Sequence, residues 1–208
     1  MTHGAARGLL VSSYVFGAVM IGRDVLPGFV YLTAPHLVFS LGLLLWGHER
    51  AGGRGRLWAW GAVCFALGFW AEFVGVHYGW LFGDYVYGDV LGPKLWGIPL
   101  VIGVNWMLVV YAVCSSLDAV AGRWPVAPRA VVAAAALVLL DVLIEPVAIE
   151  LDYWTWAAGA PPTQNYVGWF GVGLIQTTLY YLLLGGTRNR LAPWLLALQV
   201  IFFWYLSP

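Results

Sequence analysis

Charge is scarce in this chain. Asp, Glu, Lys and Arg make up only 10% of its 208 residues, against roughly 25% in an ordinary soluble domain. The ten acidic and ten basic residues cancel, so there is no basic surface to attract nucleic acid. Lysine is confined to Lys94, in a loop; a seven-helix protein carrying retinal needs a lysine in its membrane core, and that class is excluded. The four histidines, His3, His36, His48 and His77, are scattered, which excludes the clustered histidine boxes of membrane di-iron hydroxylases and desaturases. The two cysteines, Cys64 and Cys114, fall within apolar segments and read as packing residues without a disulfide. No cysteine–histidine spacing suggests zinc, and no glycine-rich loop meets a lysine in the manner of a phosphate-binding loop. The expectation is a protein without metal or cofactor.

What the chain has in abundance is hydrophobicity, 62% of residues with a mean hydropathy of +0.80. Apolar runs of membrane-crossing length cover residues 8–22, 28–46, 57–76, 95–114, 130–149, 168–185 and 191–207. These runs predict an all-α, polytopic membrane bundle of about seven helices in a single integral-membrane domain, residues 1–208, the first helix being the shortest. Pro27, the Gly52-Gly53 pair, Pro93, Pro125 with Pro128, Pro161-Pro162 and Gly185-Gly186 punctuate the runs. The run after Arg7 lacks a small-residue cleavage site and is expected to stay as a membrane helix. Arg7, Arg50, Arg54, Arg56, Arg123, Arg129, Arg188 and Arg190 gather on one side of the expected bundle, and Arg23 with Lys94 on the other. That sorting predicts a cytoplasmic N-terminus in the inner (cytoplasmic) membrane, with membrane lipid as the surroundings.

Against this background three carboxylates stand out inside the apolar runs: Glu72, Asp141 and Glu145. An ionised group at bilayer depth costs a few kcal/mol or more, so such residues are normally kept for chemistry, transport or a specific partner. At 1.5 Å per residue, Glu72 lies about 22 Å, Asp141 about 17 Å and Glu145 about 23 Å from the cytoplasmic ends of their helices. All three fall in the outer half, and His36 and Asn105 are expected to reach the same layer from the other direction. Asp141 and Glu145 share one helix face, and Pro146 removes an amide hydrogen beside them, leaving the carbonyl of Val142 in need of another donor.

Two further constellations flank the carboxylates. Glu72 leads into a glycine- and aromatic-rich stretch containing His77, Tyr85 and Tyr87. Trp154 and Trp156, then Gln164, Asn165, Tyr166 and Trp169, lie between the fifth and sixth runs. Each admits a plainer reading. The aromatics suit an interfacial belt, His77 either pairs with Glu72 or faces the headgroups, and the acids either act chemically or bond neighbouring helices. Ring faces beside carboxylates also suit a positive centre.

In these residues the sequence resembles a membrane family of carotenoid biosynthesis that includes bacterial γ-carotene and lycopene 1′-hydratases and the archaeal bisanhydrobacterioruberin hydratase. The resemblance rests on Glu72-x-x-Gly75, Gly79-x-x-Phe82-Gly83-x-Tyr85-x-Tyr87, Gly97-x-Pro99 and Trp106. Asp141-x-x-x-Glu145-Pro146, Trp154-x-Trp156 and Gln164-Asn165-Tyr166-x-Gly168-Trp169 complete it, over roughly half the chain. It implies cofactor-free, acid-catalysed hydration of the terminal double bond of a lipophilic acyclic carotenoid, and association with other enzymes of that pathway. A neutral carboxylic acid protonates the alkene, and burial in low dielectric is what keeps an acid neutral. A second carboxylate then serves as base for the water that captures the tertiary cation. Asp141 and Glu145 are the expected acid/base pair, with Glu72 as a third member. His77, Tyr85, Tyr87, Asn105, Trp154, Trp156 and Tyr166 are candidates for the end-group pocket, and Asn165 for holding the water. Cyclisation, in which a neighbouring alkene captures the same cation, is the nearest alternative; a proton-coupled carrier using the acids as a relay is one of another class.

Overall fold

The computed structural model describes residues 1–26, 28–49 and 54–208. Pro27, Arg50 and the Gly52-Gly53 pair lie outside the described residues. Within them are seven α-helices: α1 (His3–Gly22), α2 (Thr33–Trp46), α3 (Arg54–Tyr78), α4 (Val101–Ala121), α5 (Val126–Glu150), α6 (Thr163–Leu184) and α7 (Ala192–Leu206). A 3-10 turn, Phe29–Leu32, leads into α2. The helices form an all-α bundle of the kind that crosses a membrane several times, because a helix satisfies its own backbone polar groups where no water can. Six of the described spans are long and apolar enough to cross; α7, at 15 residues, is shorter. The shortest span therefore lies at the C-terminal end, the 3-10 turn extending the α2 span to 18 residues, whereas α1 extends to 20 residues, its N-terminus capped by the Thr2 hydroxyl accepting from the Ala5 amide at 3.2 Å.

The fourth apolar run begins differently from expectation. Lys94–Leu95 (β2) pairs antiparallel with Ile98–Pro99 (β3), so residues 95–99 make a small hairpin ahead of α4. Trp96 and Gly97 both adopt positive φ, +52° and +80°, as a two-residue hairpin turn requires. Hydropathy alone could not see this, because Leu95, Trp96 and Ile98 are as apolar as the helix that follows.

Helix α4 is the axis of the bundle. It packs on α2, α3, α5, α6 and α7, and most of its length is buried. Trp60, Trp106, Tyr111 and Tyr180 fill the interior. The approach of α3 to α4 depends on Gly68, where a Cβ would fall 2.5 Å from the Trp106 ring. At one end of the bundle the loop after α3 meets the loop after α5: Tyr85–Tyr87 (β1) pairs antiparallel with Trp154–Trp156 (β4). This two-stranded ribbon joins segments distant in sequence and positions the site.

Candidate active site

The register of the ribbon sets Tyr85 opposite Trp156 and Tyr87 opposite Trp154. Side chains alternate along a strand, so all four rings project from one face while Val86 and Thr155 project from the other and are exposed. The paired rings lie 5.0 Å (Tyr85–Trp156) and 6.0 Å (Tyr87–Trp154) apart. Their polar edges point at the carboxylates. Tyr85 and Tyr87 donate to Glu72 Oε2 at 2.5 and 2.7 Å, and Trp106 Nε1 donates to Glu72 Oε1 at 3.0 Å. Trp154 and Trp156 donate through Nε1 to Glu145 Oε2 at 3.1 and 2.8 Å. The tyrosine strand thus serves one carboxylate and the tryptophan strand the other. Burial first, and then the facing Glu72, hold the hydroxyls of Tyr85 and Tyr87 well above the ordinary phenol range, so both remain protonated donors.

Asp141 lies deeper. Asn165 on α6 donates from Nδ2 to Asp141 Oδ2 at 2.7 Å and to Glu145 Oε1 at 3.3 Å, bridging the two acids of α5. Asp141 Oδ1 is buried without a hydrogen-bond partner. Glu72, Asp141, Glu145 and Asn165 are all buried. Between Glu72 and Glu145 is a cavity of about 30 Å³, lined also by Asn105, Trp106, Trp169 and the four ribbon rings. That is room for a water molecule. Trp106 and Trp169 stack at 4.3 Å on its wall.

The glycines of the motif keep the loop close. At Gly168 a Cβ would lie 2.2 Å from the Leu81 carbonyl oxygen, so the loop backbone rests directly on α6. Gln164 secures the same loop, donating from Nε2 to the carbonyls of Gly79 and Trp80 at 2.7 Å each. Lys94 closes the other side, donating to the Tyr87 carbonyl at 2.9 Å and to Asp89 at 2.6 Å. Helix α5 continues through Pro146, and the Glu145 carboxylate beside it is engaged by Trp154, Trp156 and Asn165.

Of the residues singled out from sequence, Glu72, Glu145, Tyr85, Tyr87, Asn105, Trp154, Trp156 and Asn165 all border the cavity. Asp141 reaches it through Asn165. Tyr166 is partly buried beside Glu145 and Asp141, outside the cavity lining. Two more of the singled-out residues lie away from it. His77 does not pair with Glu72: it is exposed, bonds the Phe73 carbonyl at 3.0 Å and stacks on the Phe73 ring at 4.2 Å. Five residues after Glu72 it faces another side of α3. His36 does not line this cavity either; it hydrogen-bonds Ser13 of α1 at 3.0 Å in a separate apolar pocket.

Sequence reading missed Trp106 as a carboxylate donor and a second polar cluster at the opposite end of the bundle. There Arg129 Nη1 pairs with Asp118 Oδ1 at 2.8 Å, both side chains nearly inaccessible, and the Thr187 amide donates to Asp118 Oδ2 at 2.8 Å. The guanidinium also lies 4.4 Å from the Tyr181 ring centre. The only signal in sequence was one acid and one base facing each other across the short α4–α5 turn.

The sequence pattern of the carotenoid biosynthesis protein family matches residues 28–207, nearly the whole chain. The chain belongs to that family. Among curated members of carotenoid biosynthesis, it is 31% identical over 115 residues to a bisanhydrobacterioruberin hydratase of Haloarcula japonica. The matched region is 52% of this chain and 39% of that protein, so the chain spans well under half the length of its archaeal relative. No solved structure matches. This carotenoid biosynthesis protein is therefore a multi-pass membrane protein with Glu72 and Glu145 bordering one cavity inside the bundle.

Proposed function

We propose that this protein is a carotenoid 1′,2′-hydratase of the cytoplasmic membrane, adding water to the terminal trisubstituted double bond of an acyclic carotenoid. The observation that carries this reading is the water-sized cavity between Glu72 and Glu145, with Asp141 joined to Glu145 through Asn165. The family and the hydratase relative support carotenoid chemistry in general. The carboxylate arrangement favours the specific reaction.

In the proposed step the Asp141–Glu145 pair carries one proton and delivers it, through Glu145 at the cavity, to the less substituted carbon of the alkene. The alkene π pair forms the new C–H bond, and the adjacent carbon becomes a tertiary cation. Two acids sharing one amide in a dry site ionise together only at high cost, which makes the pair a proton holder. Glu72 lies across the cavity with three donors on its carboxylate, an arrangement suited to an anion. It stabilises the cation and takes the proton released when water forms the C–O bond. Glu72 then hands that proton back to the acid pair through water in the cavity, so that alkene and water become a tertiary alcohol with no change in oxidation. The faces of Trp106 and Trp169 shield the cation. With the charge-sorted orientation, the site lies in the outer half of the membrane, where water enters from the interface.

The test is expression in a bacterium that accumulates lycopene, with extracted pigments weighed by mass spectrometry. Hydration adds the mass of one water per reacted end; cyclisation leaves the mass unchanged. An unchanged pigment from well-expressed protein would remove the hydratase reading, and a ring-bearing product of unchanged mass would replace it with cyclisation.

A further inference from the structure

The carboxylate cavity holds about 30 Å³, the space of roughly one water and too little for a branched isoprene unit with its chain. Room for the rest of a long apolar molecule must come from elsewhere in the bundle. Between α1, α2 and α7 lies a much larger pocket of about 380 Å³, within the size range of small-molecule sites. Its walls are mainly apolar and rich in aromatic rings, including Phe16, Phe29, Phe39 and Phe202. Its polar points include two hydrogen-bonded pairs, His36 with Ser13 at 3.0 Å and Thr33 with Tyr153 at 2.9 Å.

Two consecutive residues, Tyr153 and Trp154, connect the two spaces, Tyr153 lining the large pocket and Trp154 the carboxylate cavity. The Tyr153 backbone extends the β1–β4 ribbon, its carbonyl accepting from the Gly88 amide at 3.0 Å. Its side chain crosses to α2 and lines the large pocket. The next residue, Trp154, lines the carboxylate cavity, the two ring centres being 6.3 Å apart. The neighbouring rings of Tyr153 and Trp154 therefore face the apolar chamber and the carboxylate cavity respectively, and the Tyr153 hydroxyl is tied across the chamber by a single side-chain hydrogen bond to Thr33.

We infer that the α1–α2–α7 pocket holds the apolar polyene chain of the substrate, with Tyr153 as the partition that turns aside to admit the reacting end to the carboxylates. This rests on the reading of the site as one acting on an acyclic carotenoid. It assigns a role to α1 and α2, which contribute nothing to the carboxylate cavity, and to the ring-lined surface between them. Flat aromatic walls match a conjugated chain, and the Thr33–Tyr153 pair sits beside Trp154 of the site.

Gly17 on α1 gives a direct test. It lines the pocket, and a Cβ there would meet only the Phe202 ring, at an ordinary 3.8 Å. Cys64 and Cys114 are buried, so in a Gly17→Cys protein a bulky aromatic maleimide reacts at the introduced thiol after the protein has folded. Purified in lipid nanodiscs, the labelled protein is expected to show KM for lycopene raised about tenfold or more, the loss of a few buried methylenes' worth of contact, with kcat close to that of the unlabelled protein. Labelled protein with the unlabelled KM would overturn the tail pocket while leaving hydration in place, as would an acyl-chain lipid, rather than lycopene, being the molecule the label displaces. If the unlabelled protein hydrates nothing, the parent reading fails and the inference falls with it.

Discussion

At the scale of single residues, the proposed mechanism gives the three acids different work, and their surroundings differ as well. Glu72 and Glu145 each accept three hydrogen bonds, whereas Asp141 accepts one, from Asn165. Glu145→Gln removes the acid that faces the cavity and is expected to lower kcat by about 10²–10⁴-fold, the usual worth of a general acid. Asp141→Asn should lower it similarly while the protein still folds, since an amide fills the same space beside Asn165. Pigment conversion normalised to protein in the membrane measures both; full activity in both variants would remove the acid pair. Tyr85→Phe leaves the ring and takes one donor from buried Glu72. A hydrogen bond to a charged group contributes about 1.5–3 kcal/mol, so a thermal-stability assay in detergent should register the loss, with Tyr87→Phe additive only in part because both hydroxyls share one oxygen.

At the scale of elements, the site depends on a ribbon between two loops and on glycines that let the loop lie against α6. Gly168→Ala would drive a methyl into the Leu81 carbonyl, and backbone cannot yield as a flexible side chain does. The expected cost is about 1–3 kcal/mol, the scale of overpacking, seen as a lower melting temperature together with lost turnover, whereas Gly171→Ala on the same helix meets open space and should be neutral. The same elements explain what sequence could and could not tell. Hydropathy marked seven helices, and intramembrane acids marked the site, because both are properties of local composition. The pairing of β1 with β4 was not legible: it joins Tyr85–Tyr87 to Trp154–Trp156 across the length of two helices, and only the register turns four belt-like aromatics into carboxylate donors. The 94–99 hairpin escaped for a related reason, since apolar residues at a turn look like the start of a helix. Depth in the membrane is all that sequence gives for His36, and depth says nothing of which way a helix face turns, here toward Ser13 of α1.

At the scale of the whole molecule, two buried polar clusters sit at opposite ends of one bundle. The end holding Asp118, Arg129 and Arg188 is expected in the cytoplasm, and the carboxylate end outside, by the sorting of arginines. Ala158→Cys, in the exposed turn after β4, should therefore react with a membrane-impermeant thiol reagent added to intact cells, and Arg123→Cys only after the membrane is opened; the reverse pattern would invert the topology and move water access to the other face. The central claim is that carboxylates around a buried, water-sized cavity protonate an alkene and water takes the cation. Purified protein given lycopene in heavy-oxygen water tests it most directly. The account predicts a pigment carrying one heavy-oxygen hydroxyl per reacted end, absent with Glu145→Gln; a folded, lycopene-binding protein that leaves the pigment mass unchanged would contradict it.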